Sequence, residues 1–522
     1  MSARKMLIGM LVLAALCALT AQAACAFATQ GIVTGRIYND MNSNDTAMND
    51  FKNMGVGWIR IEFEEFMNRK TVDYTDAAVQ AEKVKYQNII AKAHARGISV
   101  LGVCGWNSFR TTSGNMSIFP DTDASLDEYR VGVKWHADNY SIDAVEIWNE
   151  PTYWGSKINF GYYGAGGADN HPRLARYAQM LINVYSYMKG YKPAIKIVGP
   201  ATANAESGDW INGAYAGDYA NSIFNSATMR SYRNSHSGNT PMDAVSWHPY
   251  GTSGPPDSGN FYFGAQDFPT YYTNILAYRD RDNRLVIGSK DIWFTEYGWN
   301  SSGTYHNWQT GQDIAIGQEN QRIWQEKIIA MIYARSQVKL PFWYDYRDDE
   351  AGGSEACGLL LNSGGGYAKK RVYYAFFAHS CLVGLATGDG YSEWPRDQII
   401  DRYLAWGAKD GIGSPFNRNL PPLWYGDKVH YWGPSNNGMI QFFTGGANTC
   451  GGECCIGGHF NNPNAFTIKC GFYSMWVQYS DGPWRYGWPT SDEFWDGSQA
   501  VQWFEFGHMT WDSQYGVRWW PN

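Results

Sequence analysis

The sequence contains few charged residues and no excess of positive charge. Asp, Glu, Lys and Arg make up 17% of the 522 residues, and the formal net charge is -7 with a pI of about 5.8. A protein that binds nucleic acid normally carries a basic surface patch. The charge balance therefore gives no indication that nucleic acid is a partner.

Long apolar runs are also missing once the first 28 residues are set aside, so the sequence predicts no membrane-spanning segment in the mature protein. The chain begins with a basic stretch, an apolar stretch and small residues of the A-x-A type, which is typical of a secretory signal peptide. The alternative is a lipoprotein signal cleaved before Cys25, but Gln22 occupies a position where such signals have a small or branched apolar residue. We predict that residues 1–28 are a signal peptide and that the mature protein is secreted, either extracellular or periplasmic.

Two common cofactor signatures are absent as well. No G-x-G-x-x-G motif opens a helix after the first predicted strand, which argues against a dinucleotide-binding sheet. The clustered Cys450, Cys454, Cys455 and Cys470 lack paired C-x-x-C spacing and a nearby His pair, so they do not indicate zinc. In an exported chain such a cluster is typical of disulfide bonds, whose pairing the sequence does not determine. We predict no metal and no cofactor.

Aromatic residues, in contrast, are abundant. The chain has 24 Trp and 36 Tyr, and aromatic residues make up 16% of it. Aromatic rings fill protein cores, but their flat apolar faces are also surfaces on which sugar rings stack. The composition is therefore compatible with core packing and with a carbohydrate-binding surface.

Eight strand-like apolar segments alternate with helical patterns over the first three quarters of the chain. The segments are 31–38, 56–63, 97–105, 143–150, 194–200, 243–250, 291–298 and 340–346. Helical periodicity is clear at 76–97 and 317–336. Eight such units over roughly 355 residues favour an α/β fold of the closed (β/α)8 TIM-barrel type with insertions, rather than a doubly wound sheet. We place this barrel domain at 29–388.

Beyond the barrel the helical periodicity fades, and Trp, Gly and Pro become frequent. This part of the chain contains two similar copies of one pattern, a G-x-P turn followed by a strand of Ile/Val-Gln-aromatic-Phe pattern. In the first copy the turn is at 411–419 and the strand at 438–446. In the second copy the turn is at 485–493 and the strand at 500–508. They resemble the LGFP-type repeats of bacterial wall-associated proteins, with "YGWPTSDE" the closest match. The resemblance implies a small β-rich module at 389–522 that binds cell-wall glycan. A module that only stabilises the protein is the alternative.

Two glutamates lie at the ends of predicted strands. Glu150 ends the fourth strand in "VEIWNEP", and Glu296 ends the seventh in "DIWFTEYG". In a barrel of parallel strands these ends meet at the carboxyl face, where barrel enzymes keep their active sites. Carboxyl groups about 5–5.5 Å apart suit a retaining glycoside hydrolase, and about 6.5–9.5 Å suits an inverting one. The sequence predicts the pair but not the distance between its members.

Four motifs, "IWNEP", "WHPYG", "FTEYGW" and "FWYDYRDD", occur in this order on the fourth, sixth, seventh and eighth predicted strands. Together they resemble glycoside hydrolase clan A and are most similar to family 39 and related bacterial exopolysaccharide hydrolases. The resemblance covers the whole barrel. It implies a retaining O-glycosyl hydrolase with Glu150 as the acid/base and Glu296 as the nucleophile.

The same resemblance implies roles for residues next to the two glutamates. Asn149 matches the residue that hydrogen-bonds the sugar 2-hydroxyl, although it could instead form a turn before Pro151. Arg60 on the second strand matches an arginine beneath the nucleophile, and the alternative is a structural ion pair with Glu146.

Four further residues complete the predicted substrate-binding set. His248 and Tyr250 end the sixth strand, where the resemblance places hydrogen-bond donors near the nucleophile. Trp343 and Tyr344, on the eighth strand, would form the platform beneath the reacting sugar. Packing in the protein core is the alternative for both rings.

Other acidic residues follow the second strand. They are Glu62, Glu64 and Glu65, and Asp345, Asp348 and Asp349 follow the eighth strand. Any of these acids could bind a cationic or hydroxyl-rich substrate. The alternatives are that they are solvated or paired with Arg347.

We predict a secreted retaining glycoside hydrolase that cleaves O-glycosidic bonds of a polysaccharide or oligosaccharide by double displacement. One alternative is an exo-acting β-xylosidase-like enzyme of the same family. A second is a catalytically silent carbohydrate-binding barrel protein. The sugar, the linkage and the choice between endo and exo action are not determined by the sequence.

Overall fold

The computed structural model describes most of the chain outside its first 28 residues. The described ranges are 29–66, 73–105, 122–151, 172–203, 223–249, 254–261, 267–277, 279–307, 310–348, 356–361, 367–380, 396–413, 415–416, 430–432, 434, 437–478 and 482–522.

Eight parallel strands close into a barrel. They are β1 (Gly31–Val33), β2 (Trp58–Glu62), β3 (Ser99–Cys104), β4 (Ala144–Ile147), β5 (Lys196–Ala203), β6 (Ala244–His248), β7 (Asp291–Tyr297) and β10 (Val338–Trp343). Around the barrel the order is β1-β10-β7-β6-β5-β4-β3-β2. A hairpin of β8 (Thr304–Asn307) and β9 (Gln312–Ala315) lies between β7 and β10 in sequence. The predicted (β/α)8 fold is confirmed.

Helices connect the strands of the barrel. They are α1 (Tyr38–Ser43), α2 (Thr46–Asn53), α3 (Ala77–His94), α4 (Asp123–Asn139), α5 (Pro172–Tyr191), α6 (Ala227–Ser235), α7 (Phe268–Ala277), α8 (Gly317–Tyr333) and α9 (Arg371–Ser380). Local sequence sets several of their ends. The Asp76 side chain accepts hydrogen bonds from the first turn of α3, and Thr122 forms a capping box with Ser125 at the start of α4.

Apolar side chains fill the interior of the barrel. Seven of the eight strands contribute a buried residue to one separate cluster, which consists of Val33, Leu101, Ala144, Val198, Ala244, Trp293, Leu340 and Phe342. The charged side chains of Arg60 and Glu146 are buried with them. A packed interior leaves the carboxyl face of the barrel as the place for a site.

The rest of the described chain forms two antiparallel sheets with short helices. The helices are α10 (Arg396–Ala405), α11 (Ala408–Ile412), α12 (Cys470–Val477) and α13 (Gly482–Arg485). The first sheet contains β11 (Pro415–Phe416), β12 (His430–Trp432), β13 (Gly438–Phe443), β14 (Cys454–His459) and β15 (Phe466–Ile468). The second contains β16 (Phe494–Trp495), β17 (Ala500–Phe504), β18 (Gly507–Asp512) and β19 (Gly516–Pro521). A β-rich module therefore follows the barrel, as predicted; the proposed boundary at 388/389 lies outside the described residues.

The two sequence repeats of this module pair their strands in the same way. In the first repeat Pro415 of β11 lies opposite Phe443 of β13 in an antiparallel pair. In the second, Pro489 forms an antiparallel bridge to Phe504 of β17. These are equivalent positions of the G-x-P and Gln-aromatic-Phe patterns, so the duplication seen in the sequence is also a structural one.

Two further pairs of equivalent residues have similar conformations or contacts in the two repeats. The turn glycines Gly413 and Gly487 have φ angles of 88° and 78°, which glycine adopts at no steric cost. Gln441 and Gln502 are both buried, and each donates a side-chain hydrogen bond to a backbone carbonyl. The relation of the repeats to the LGFP type stays a resemblance.

The cysteine cluster contains one disulfide. Cys450 and Cys470 are bonded across a sequence separation of 20 residues. Cys454 and Cys455 are buried in β14 as thiols. The prediction of disulfide bonding is confirmed for one pair.

None of the helices in the described ranges combines the length and the hydropathy that a membrane crossing requires.

Candidate active site

The fourth strand delivers Glu150 to the carboxyl face through an unusual backbone. Trp148 and Glu150, just beyond β4, have φ angles of 67° and 43°. Non-glycine residues seldom adopt positive φ, at a cost of about 1–3 kcal/mol each, and such positions cluster at functional sites. The segment after β4 is therefore held in a conformation that local preference alone would not select.

Glu150 and Glu296 meet at one histidine. His248 Nδ1, at the end of β6, lies 2.7 Å from Glu150 Oε1 and 3.5 Å from Glu296 Oε2. One oxygen of each glutamate and a ring nitrogen of His248 all lie within 4.8 Å of one another. The structure thus brings together two glutamates that are far apart in sequence.

Arg60 joins the nucleophile candidate to two neighbours. Its guanidinium donates from Nη1 to Glu296 Oε1 at 2.5 Å, from Nε to Glu146 Oε2 at 2.7 Å and from Nη2 to Asn149 Oδ1 at 2.7 Å. Both contacts considered for Arg60 are present at once, because one planar group bonds Glu296 and Glu146 together.

The charges in this network stabilise one another. Burial disfavours the charged form of Arg60, but the negative charges of Glu146 and Glu296 outweigh that effect and raise the pKa of Arg60. The arginine therefore stays positive at every working pH. Its charge favours the ionised form of Glu296, as a nucleophile requires.

The surroundings of Glu150 favour the protonated form of its carboxyl group. Burial raises the pKa of Glu150; the hydrogen bond and charge of His248 lower it, and the charge of Glu296 raises it again. The net direction is upward. A carboxyl that holds its proton above the usual range can act as a general acid.

His248 is held from both sides. Its Nδ1 faces Glu150, and its Nε2 lies 3.0 Å from Thr295 Oγ1 on β7. Burial lowers the pKa of His248, but Glu296 and Glu150 raise it more, so the net direction is upward. The sequence predicted His248 near Glu296, and the structure places its Nδ1 between Glu150 Oε1 and Glu296 Oε2, at 2.7 Å and 3.5 Å. Sequence reasoning missed Thr295, although a hydroxyl residue directly before Glu296 was a visible signal.

The predicted sugar platform occupies two different environments. Trp343 is fully buried and donates its indole N–H to the Cys357 carbonyl, which is the core-packing alternative for this ring. Tyr344 is only half-buried and packs against the interior cluster of the barrel. Tyr250 lies outside the described residues.

Glu150, His248 and Glu296 are also residue types that bind divalent metals. Within the described ranges they are the one group of three or more such side chains close enough to share an ion. The distance of 2.7 Å between His248 and Glu150 is that of a hydrogen bond, so a shared proton accounts for their proximity.

The chain is similar in structure to several solved glycoside hydrolases. A family 39 glycoside hydrolase from Bacteroides cellulosilyticus WH2 matches at 16% identity and a TM-score of 0.42, over 94% of this chain and 79% of that one. A GH39 enzyme from Xanthomonas axonopodis pv. citri matches at 15% identity and a TM-score of 0.42, over 69% and 67%. A β-glucosidase from Thermotoga maritima matches at 13% identity and a TM-score of 0.44, over 68% and 98%. The sequence matches no protein-family model and no curated protein. At these identities the similarity concerns the fold alone.

Proposed function

We propose that this protein is a retaining glycoside hydrolase that cleaves a polysaccharide by double displacement. The observation that carries the proposal is the placement of Glu150 and Glu296 at the carboxyl face, with an oxygen of each within 4.8 Å of the other. A short separation favours retention, because inversion needs about 6.5–9.5 Å between the carboxyl groups to admit a water molecule.

In the first step Glu296 attacks the anomeric carbon while Glu150 gives its proton to the glycosidic oxygen. The bond from the anomeric carbon to that oxygen breaks, the leaving sugar departs with the proton, and a glycosyl ester of Glu296 remains. Burial is the largest cause of the raised pKa of Glu150, and the charge of Glu296 adds to it; once Glu296 is no longer charged, that added rise is lost. Glu150 then takes a proton from water, whose oxygen displaces Glu296 and restores the starting state.

We assign to Asn149 the role of binding the sugar during both steps. Its amide oxygen accepts a hydrogen bond from Arg60, which orients the side chain and leaves the amide N–H groups to donate elsewhere. A donor beside the two carboxyls matches the role of bonding the sugar 2-hydroxyl, an interaction that strengthens at an oxocarbenium-like transition state.

Product stereochemistry tests this proposal. The protein should be screened against neutral and amino-sugar polysaccharides and against chromogenic β-glycosides, with the newly formed reducing end followed by proton NMR. The first product should have the anomeric configuration of the bond that was cleaved. A first product of opposite configuration rules out double displacement, and binding without any hydrolysis supports the silent carbohydrate-binding alternative.

The pH dependence should report the pairing of Glu150 with His248. Activity requires protonated Glu150, so kcat/KM should fall as the pH rises through its pKa, which burial places above the ordinary carboxyl value of 4.5. His248 lowers that pKa, so the variant His248→Asn should move the alkaline limb of the profile to higher pH. A shift of the limb to lower pH would contradict the assignment of Glu150 as the acid.

We also propose that the protein is secreted and that 389–522 holds it on cell-wall glycan. Support for binding comes from the outer face of the second sheet. Trp503 of β17 pairs with His508 of β18, which pairs with Trp520 of β19, so the three side chains form a row across the strands. Trp503 and Trp520 are 43% and 45% exposed.

The repeats differ at this row. The first repeat has Phe442 where the second has Trp503, and Phe442 is fully buried. Beside the row, Thr510 accepts a hydrogen bond from the Trp520 indole, and Arg518 lies opposite Thr510. Exposed rings next to polar groups suit a polymer with both apolar and hydroxyl-bearing faces, such as a glycan.

Removing the exposed rings should weaken glycan binding without affecting catalysis. In Trp503→Ala and Trp520→Ala we expect affinity for insoluble cell-wall glycan to fall about tenfold or more, as for aromatic anchors generally. Turnover of a short soluble substrate should stay the same in both variants. The unfolding temperature should stay the same in Trp503→Ala and fall slightly in Trp520→Ala, because the buried Thr510 hydroxyl loses its indole donor. The control is Trp484→Ala, which removes an equally exposed tryptophan from α13. Equal losses in all three variants would contradict a specific role for the row.

A further inference from the structure

The three glutamates that follow β2 have different surroundings. Glu65 is buried and accepts a hydrogen bond of 2.5 Å from the Tyr140 hydroxyl. Glu64 lies 3.6 Å from the Arg36 guanidinium. Glu62 differs from both, because its buried Oε1 has no hydrogen-bond partner among the described residues. Native proteins satisfy nearly all buried polar atoms, so this one calls for an explanation.

Glu62 faces the proposed active site. Arg60 and Glu62 are two residues apart on β2, so their side chains leave the strand on the same side. Since Arg60 reaches across the barrel interior to Glu296, Glu62 points inward from the rim. A Cβ built on Gly105 would lie 3.3 Å from Glu62 Oε1 and 3.8 Å from Asn149 Cβ. Glu62 Oε1 and Asn149 Cβ therefore both lie within 4 Å of one point next to Gly105, just after the end of β3.

The electrostatic surroundings of Glu62 favour the binding of a hydrogen-bond donor to its carboxyl group. Burial is the largest cause that raises the pKa of Glu62, the charges of Glu64 and Glu296 raise it further, and Arg60 and Arg36 lower it; the net pKa is about 7. Two tyrosine hydroxyls contact the Glu62 backbone: that of Tyr38 accepts a hydrogen bond from the Glu62 N–H, and that of Tyr86 donates one to the Glu62 carbonyl. Leaving a buried carboxyl oxygen unbonded costs free energy, which a ligand that donates to it would recover.

We propose that Glu62 is a specificity-determining residue that accepts a hydrogen bond from a hydroxyl or amino substituent of the sugar bound against Asn149. The inference rests on the proposed hydrolase function. The acids at this end of the barrel outnumber the bases; they are Glu62, Glu146, Glu150 and Glu296 against Arg60 and His248. A sugar carboxylate placed here would be repelled, so the site should prefer neutral and amino sugars to uronic acids.

The test compares Glu62→Gln with Glu64→Gln, the same change two residues along. The full-length variants are assayed on 4-nitrophenyl β-glycosides of neutral, 2-amino and uronic sugars, and on β-glucan, xylan and chitosan. For Glu62→Gln we expect KM of the best wild-type substrate to rise about tenfold with much less change in kcat. The ratio of kcat/KM for neutral sugars to kcat/KM for uronic sugars should fall in the same variant. Glu64→Gln should keep the wild-type kcat and sugar preference; because the charge of Glu64 helps to raise the pKa of Glu62, the KM of this variant should change at a lower pH than in the wild type.

Two further readouts separate binding from a structural role. With deoxy substrates that lack the bonded substituent, Glu62→Gln and the wild type should have the same KM. The wild-type KM should change with pH near 7, and that change should disappear in Glu62→Gln.

The outcomes separate this inference from the function on which it rests. An active wild type with unchanged KM and preference in Glu62→Gln overturns the role of Glu62 alone. So does an equal loss on every substrate, deoxy sugars included, because that pattern indicates a structural role. A wild type that cleaves none of the substrates overturns the proposed hydrolase, and this inference with it.

Discussion

Glu296→Gln should abolish hydrolysis, with kcat at least about 10⁴-fold lower, because an amide cannot form the glycosyl ester on which double displacement depends. Stability should change little, since the amide oxygen can still accept the hydrogen bond from Arg60 Nη1. The measurement is the rate on the best substrate together with a urea unfolding curve.

Glu150→Ala should show a different pattern, which distinguishes the two roles. Loss of a general acid costs about 10²–10⁴-fold on substrates with poor leaving groups. A 4-nitrophenyl leaving group needs no proton, so bond cleavage should survive and appear as a burst of nitrophenol before slow turnover. Glu65→Gln is a matched control, because Glu65 bonds Tyr140 and not the reacting groups. Nearly full activity in Glu150→Ala and Glu296→Gln would falsify the assignment.

Arg60→Met should destabilise the protein by about 3–5 kcal/mol, because it leaves two buried carboxylates without their counter-charge. The guanidinium is 4% exposed, and the two glutamates it bonds are Glu146 and Glu296. Activity should be lost as well, since neutralising Glu296 by protonation removes the nucleophile. Urea unfolding at neutral pH measures the first effect, and turnover measures the second.

The double variant Arg60→Met/Glu146→Gln serves as the control for this prediction. It removes one of the two unpaired charges, so part of the stability should return while activity stays low. If Arg60→Met alone is as stable as the wild type, the three hydrogen bonds of Arg60 do not hold the network as described.

The barrel could be predicted from sequence because each strand is an apolar run followed by a helical pattern. The predicted ends of the strands were less accurate where apolar residues are buried but do not belong to a strand. The segment 31–38 reads as one strand, but only Gly31–Val33 extends; Gly35 turns at a φ of 61° and Tyr38 begins α1. Ile37 and Tyr38 are apolar because they are buried, and burial alone does not distinguish a strand from a turn or a helix.

The positions of Glu150 and Glu296 were equally visible, since strand ends converge on one face of a barrel. The environment of each side chain could not be predicted from the sequence, because it depends on contacts between distant segments. Nothing in the sequence shows that Trp343 is buried while Tyr344 is partly exposed, or that Glu65 is bonded while Glu62 Oε1 is not. The disulfide between Cys450 and Cys470 likewise depends on a Cα separation of 5.7 Å that only the fold creates.

The two copies of the repeat at the end of the chain differ in how freely one equivalent position can change during evolution. Where Phe442 is enclosed by its neighbours, almost any replacement would disturb the framework, so that copy is constrained. Trp503 occupies the matching place with 43% of its surface exposed, so substitutions there disturb the framework less. If 389–522 binds glycan as proposed, substitutions in the second copy alone would change the ligand that is bound and would leave the proposed site of the barrel as it is.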